Sequence, residues 1–214
     1  MIKDIKIAVI GGTGKSGKYL VKHLVGDGYR LKMLVRNPNR LDITDPLIEV
    51  VYGDVLDYET VRKLFEGCQA VISTLGLGQP PSETSLFSKA SANIIQSIEE
   101  NWIPRYIVTT GLNVDTPFDN KGFATKSATE WMYKNFPLTT ADKQKEYEML
   151  SESDINWIMV RLPLIELTDI KCETEANLED CKGDKISAAN LAVFLTGQLL
   201  DDTYIRMAPF LYNA

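Results

Sequence analysis

Ile5-Lys6-Ile7-Ala8-Val9-Ile10 runs straight into Gly11-Gly12-Thr13-Gly14-Lys15-Ser16-Gly17, and that junction decides the fold. The first part is a short apolar run of the kind found in a buried strand. The second satisfies G-x-G-x-x-G at Gly12, Gly14 and Gly17. Residues 15–26 then place Leu20, Val21, Leu24 and Val25 at helical spacing among Lys18, Lys22 and His23. A glycine turn between strand and helix has two physical uses. It lets the backbone approach a pyrophosphate closely, and it aims the free N–H groups and positive dipole end of the helix at that anion. Gly11 to Gly17, with Thr13 and Ser16, therefore forms a candidate dinucleotide phosphate site. Gly14-Lys15-Ser16 also ends like the phosphate loop of nucleotide hydrolases. That loop requires a glycine five residues before Gly14, where Val9 stands.

Outward from this junction, strands and helices alternate. Strand-like runs occur at Leu31–Val35, Ile48–Tyr52, Ala70–Thr74, Tyr106–Thr109 and Trp157–Arg161, with Tyr204–Ala208 expected as a last one. Helical spacing covers 58–66, 83–100 and Thr140–Leu150, and Ser187 is placed to cap a final helix carrying Leu191, Phe194, Leu195 and Leu199. The acidic stretch Glu173–Asp180 reads as a solvated loop. Residues 112–137 read as an irregular, variable segment. Alternation of this kind predicts an α/β fold: a doubly wound, mostly parallel sheet with helices on both faces, in one domain spanning 1–214.

Composition narrows the function. The 29 acidic residues outnumber the 23 basic ones, giving a net charge of −6, so no general basic footprint for nucleic acid is expected. No run of 18 apolar residues suggests a membrane span. The N-terminal stretch Met1 to Lys6 lacks the apolar core of a signal peptide. The three cysteines, Cys68, Cys172 and Cys181, are an odd count that suits free thiols in the cytoplasm, with a Cys172–Cys181 pair left open. With His23 as the sole histidine, a metal centre is not expected.

The end of the second strand bears on the choice of cofactor. An acid there accepts from the ribose 2′-hydroxyl of NAD, whereas arginine suits the 2′-phosphate of NADP. Arg36 holds that place, 19 residues after Gly17, and Arg40 follows. Two planar guanidinium forks favour NADP(H) over NAD(H). Asp54 and Val55, after the third strand, are placed for the adenine. Thr74, Leu75 and Gly76, after the fourth, border the crevice where ligands collect in such sheets.

These stretches, with Tyr106-Ile107-Val108-Thr109-Thr110, the run Asp154 to Arg161 and Ile186 to Ala192, resemble an atypical short-chain dehydrogenase/reductase. The likeness is to the NAD(P)-binding, NmrA-like and biliverdin reductase B (flavin reductase) type, whose fold is Rossmann-like. The resemblance implies cofactor contacts at Gly11, Thr13, Gly14, Gly17, Arg36, Arg40, Asp54, Val55, Leu75 and Gly76. It adds Thr109, Thr110 and Pro163, and places Lys143 near the nicotinamide ribose as the candidate catalytic residue. The chain departs from typical members in one respect: none of its nine tyrosines has lysine four residues on. That removes the usual proton donor. Acceptors that take hydride and draw a proton from water remain, such as flavins, quinones and tetrapyrroles. Leu112, Phe118, Phe123 and Trp131 are expected to wall the substrate side. The expectation is an NADPH-dependent reductase of a planar small molecule. The alternative is a non-catalytic NADP(H)-binding redox sensor of the NmrA-like type.

Overall fold

The structure, a computed structural model, describes residues 3–77 and 82–214. Met1 and Ile2, the start of the N-terminal stretch read above, lie outside it. Strands β1 (Lys6–Ile10), β2 (Arg30–Val35), β3 (Ile48–Tyr52), β4 (Ala70–Ser73), β5 (Tyr106–Gly111) and β6 (Trp157–Leu162) form a parallel sheet. The spatial order is β3-β2-β1-β4-β5-β6, extended by β10 (Phe210–Asn213) and β8 (Thr174–Asn177). β10 is parallel to β6, and β8 closes the edge antiparallel to β10. A small parallel pair, β7 (Leu164–Glu166) and β9 (Lys185–Ser187), stands apart.

Period-two alternation along the strands sorts the core into two layers. Ile7 and Val9 face one side, where they join Leu20, Leu24, Leu191 and Leu195 of helices α1 (Gly17–Gly26) and α6 (Ala188–Gly197). Ala8 and Ile10 face the other, joining Val61 and Leu64 of α2 (Tyr58–Phe65) and Leu86, Ala90 and Ile94 of α3 (Leu86–Asn101). α4 (Phe123–Asn135) and α5 (Pro137–Glu152) complete that second layer, α5 packing on α3. Ser187 caps α6 as expected, its Oγ accepting from the Asn190 N–H at 3.1 Å.

Three expectations need correction. Residues 123–135 are a regular helix. Its buried positions are Thr125 and Thr129, so it shows no apolar stripe to read. The acidic stretch 173–180 contains strand β8, because β10 leaves an open edge that the stretch covers by backbone pairing. Residues 204–208 make only an isolated bridge, Ile158 to Met207, and the last strand begins at Phe210.

One buried cation fastens the far end of the sheet. Arg161 of β6 is fully buried and stacks over the Phe210 ring at 3.5 Å. Its guanidinium donates to the carbonyls of Ala208 (2.8 Å), Val114 (3.1 Å) and Leu178 (3.0 Å) and to the Asp119 carboxylate (2.6 Å). Removing one partner of a buried pair strands the other charge, which costs about 3–5 kcal/mol. Arg161→Met should lower the urea-unfolding free energy by about that amount, whereas Arg62→Met, on the exposed face of α2, should change it by less than about 1 kcal/mol.

Candidate functional site: the cleft at the carboxyl ends of the strands

Strand order reverses at β1, which lies between β2 and β4. Loops leaving β1 and β4 therefore diverge and open a crevice at their carboxyl ends. The cleft found there has a volume of about 440 Å³. Its floor is the glycine loop, its far wall is the end of β2, and its near wall is the exit of β4.

The glycines do separate jobs. Gly11 has φ +79°, and a Cβ on it would lie 2.6 Å from the Thr74 carbonyl oxygen. A Cβ on Gly17 would be driven into the Gly11 carbonyl. The loop closes on itself through Gly14 N–H donating to Gly11 O at 2.8 Å. Helix α1 then starts with no side-chain cap at Ser16 and no acid in its first turn. That helix end is positively polarised and uncompensated by its own cap or first turn, which suits an anion.

Of the residues expected to touch the cofactor, Gly11, Thr13, Gly14, Ser16, Arg36, Arg40, Asp54, Val55, Thr74, Leu75 and Gly76 line this cleft together. Gly12 and Gly17 are buried beneath it, Gly12 against Met33 of β2. Arg36 and Arg40 are exposed, and Arg36 Nη1 donates to Ser82 Oγ at 2.5 Å. The Asp54 carboxylate accepts from Leu56 N–H at 3.0 Å, which fixes the turn after β3. Asn37, which the sequence offers as a further donor beside Arg36 and Arg40, also lines the cleft, and Ile10, Lys15, Leu34 and Leu86 line it without having been anticipated. Lys15 was legible, since it sits inside the loop itself; the three apolar residues look like ordinary core.

Thr109, Thr110, Lys143 and Pro163 do not line the cleft but continue from it. Thr109 and Thr110 end β5, and Pro163 follows β6, at the same edge of the sheet. Thr109 Oγ1 reaches the Ser73 carbonyl at 3.5 Å. Lys143 of α5 donates to Thr110 Oγ1 at 3.3 Å and stands 4.1 Å over the ring of Phe87, next to the cleft residue Leu86. Burial pulls the Lys143 ammonium below its ordinary value, opposed by Glu146 and Asp142. α5 is held by Asp142, whose carboxylate accepts from Phe87 N–H (2.7 Å), Ser88 N–H (3.3 Å) and Ser88 Oγ–H (2.5 Å), capping α3 from outside.

The expected apolar wall is not assembled. Phe118, Phe123 and Trp131 are 58%, 88% and 55% exposed, and Leu112 packs away, against Cys181, Phe210 and Tyr212. The reason lies in the polar face of α4. Thr125 Oγ1 donates to Asp180 Oδ1 at 2.6 Å, and buried Lys121 reaches Thr129. Those bonds turn the threonines inward and the aromatics out. Among the described residues no cluster of metal-ligating side chains exists and no helix is long and apolar enough to cross a membrane. Cys68, Cys172 and Cys181 are free thiols.

This is the architecture of a dinucleotide-binding α/β protein. A family profile described as NAD(P)H-binding matches residues 11–202, and the chain belongs to that family. Eugenol synthase 2 of Clarkia breweri is 30% identical over 103 residues, 42% of this chain and 32% of that protein. The photosystem II assembly factor Ycf39 of Trieres chinensis is 23% identical over 185 residues, 82% of this chain and 57% of its own. The chain thus spans between about a third and somewhat over half of these curated relatives. An NADP complex of a short-chain dehydrogenase/reductase from Veillonella parvula superposes with TM-score 0.78 at 15% identity, over 98% of this chain and 94% of that one. The anaerobillin reductase ChuY of Escherichia coli O157:H7 does so with TM-score 0.80 at 16% identity, over 97% of each. The fold likeness agrees with the atypical short-chain dehydrogenase/reductase resemblance in the sequence.

Glu146 provides a pH test of this region. It is buried on α5, and burial pushes its carboxyl up to about 7, with Lys143 and the Ser91 hydroxyl opposing. A group whose folded value is raised favours the fold while protonated, and loses that contribution as pH rises from the ordinary carboxylate range through about 7. Glu146→Gln, which stays neutral, should therefore melt higher than the parent at pH 8, by a free energy on the order of a few kcal/mol. The difference should vanish near pH 5 in parallel thermal melts.

Proposed function

We propose that the protein is an NADPH-dependent reductase that passes hydride to a planar conjugated acceptor, a flavin, a quinone or a tetrapyrrole-like molecule. One observation carries this reading: the glycine loop, the uncapped start of α1 and both Arg36 and Arg40 meet in a single cleft. The residues fit the cofactor. Glycine at positions 11 and 17 lets the loop fold tightly under the place a pyrophosphate would take, since a Cβ at either would strike the Thr74 or the Gly11 carbonyl. Arg36 and Arg40 would bind the 2′-phosphate through charge-assisted bonds, and Asp54 with Val55 would border the adenine. Thr110 and Lys143 would hold the nicotinamide ribose, one step further along the sheet edge.

When bound, the nicotinamide supplies the hydride, and the protein contributes orientation and electrostatics. Lys143 would hold positive charge beside the site of reaction, and Phe87 beneath it excludes water from one side. With no Tyr-x-x-x-Lys, the chain lacks a dedicated donor for a simple ketone, which favours acceptors whose reduced form is protonated by solvent. The anaerobillin reductase ChuY, similar in fold, is a precedent for a tetrapyrrole acceptor.

Calorimetry with the two cofactors tests the first step. NADPH should bind more tightly than NADH, and Arg36→Ala should remove most of that preference, a loss of roughly tenfold or more in NADPH affinity alone. Equal affinities in the parent protein would overturn the preference. NADPH oxidation with a flavin or quinone tests the second; tight binding without turnover on any planar acceptor would favour the sensor.

A further inference from the structure

We propose that Glu146 is a positioning residue: it is the counter-charge that keeps Lys143 as an ammonium at the edge of the cofactor cleft, and the two side chains ionise as one unit. The role in binding rests on the placement of Lys143 beside the nicotinamide ribose; the coupling itself does not.

Three observations lead there. Glu146 lies three residues after Lys143, so both side chains share one face of α5. It is 3% exposed, far beyond what an unpaired carboxylate tolerates. Ser91 of α3 donates to Oε1 at 3.1 Å, but Oε2 has no hydrogen-bond partner among the described residues.

The other nearby carboxylate is already engaged. Asp142 accepts three bonds from the start of α3. Its charge is directed at the helix end, while half of the Glu146 carboxylate is uncommitted. The other elements packed here, β4 and β5, offer Ser73, Thr110 and Tyr106. Thr110 is taken by Lys143 itself, and the fully buried Tyr106 hydroxyl has no partner among the described residues. Among the described residues the charged or titratable groups facing Glu146 are therefore Lys143, Asp142 and Tyr106. Lys143 alone carries the opposite charge.

The direction of each perturbation agrees. Burial raises the Glu146 carboxyl to about 7 with Lys143 as the main opposing influence, and burial lowers Lys143 with Glu146 as the main opposing influence. Above that pH both partners are charged and each supports the other. Below it Glu146 becomes neutral, and the Lys143 ammonium is left in a desolvated setting with Asp142, whose oxygens are occupied. Lys143 would then be free to leave Thr110, and cofactor affinity would become dependent on pH near neutrality.

The test follows Glu146 directly, without cofactor. In protein labelled with 13Cδ-glutamate, the Glu146 signal is the one lost in Glu146→Gln, a variant expected to fold because it keeps the shape and stays neutral. Its NMR titration midpoint should lie near neutrality. In Lys143→Met, which keeps an apolar stem over Phe87, the midpoint should move to higher pH. In Lys145→Met, on the exposed side of the same helix, it should stay put. A Glu146 midpoint unmoved by Lys143→Met would overturn the proposed coupling. NADPH affinity is then measured between pH 6 and pH 8. The parent should bind progressively better as Glu146 ionises, and Glu146→Gln should lose that part of the pH dependence. A midpoint that moves while parent and Glu146→Gln bind NADPH alike at every pH overturns the placement of Lys143 beside the cofactor, and leaves the charge coupling standing.

Discussion

The carbonyl of Gly11 is the point about which the cofactor end of the molecule is built. It accepts from Gly14 N–H at 2.8 Å, and it occupies the space a side chain at position 17 would need. Gly11 itself lies against the Thr74 carbonyl, because β1 and β4 run in register with Ile10 opposite Ser73. Two chain exits this close can pass only if one carries no Cβ. The left-handed turn at Gly11 then sends the chain back over the sheet as α1. The cleft, the start of the helix and the spacing of the two neighbouring strands all follow from that one steric condition.

Much of this was legible because it is local. The order of apolar runs, the glycine spacing and the arginine after the second strand are each written within a few residues. They recovered the six parallel strands and most of the residues lining the cleft. What escaped depends on contacts distant in sequence. α4 was hidden because its inward face is made of threonines, of which Thr125 is satisfied by Asp180 and Cys181, residues some 55 positions away. β8 was hidden because an acidic stretch becomes a strand only when β10 offers it an edge. The aromatic wall was misjudged for a related reason: aromatics at helical spacing suggest a packed face, and here hydrogen bonds of the opposite face decide the rotation of the helix.

Buried charge in this protein is concentrated where helices and loops are fastened to the sheet. Lys32 of β2, 5% exposed, donates to the carbonyls of Lys63 (2.6 Å) and Glu66 (3.2 Å), holding the last turn of α2. Asp142 does the same for the first turn of α3. Such groups read as surface residues in a sequence, since lysine and aspartate are seldom buried without a partner. Their partners here are the unpaired backbone groups that every helix end leaves over. Glu146 differs from both in having one oxygen unengaged among the described residues, which sets it apart as the member of this group with a role other than fastening.

Arg161 draws together the carbonyls of Val114, Leu178 and Ala208, which lie beside the ends of β5, β8 and β10. The segment that follows β5 is therefore pinned at its root, while Phe118, Phe123 and Trp131 further along it stay exposed. Its exposed aromatics can change identity with little effect on the glycine cleft, since none of the three lines it. A fold of this kind separates inheritance into two accounts: the glycine cleft is fixed by a steric condition between two strand exits, while the exposed face beyond β5 is free of that condition.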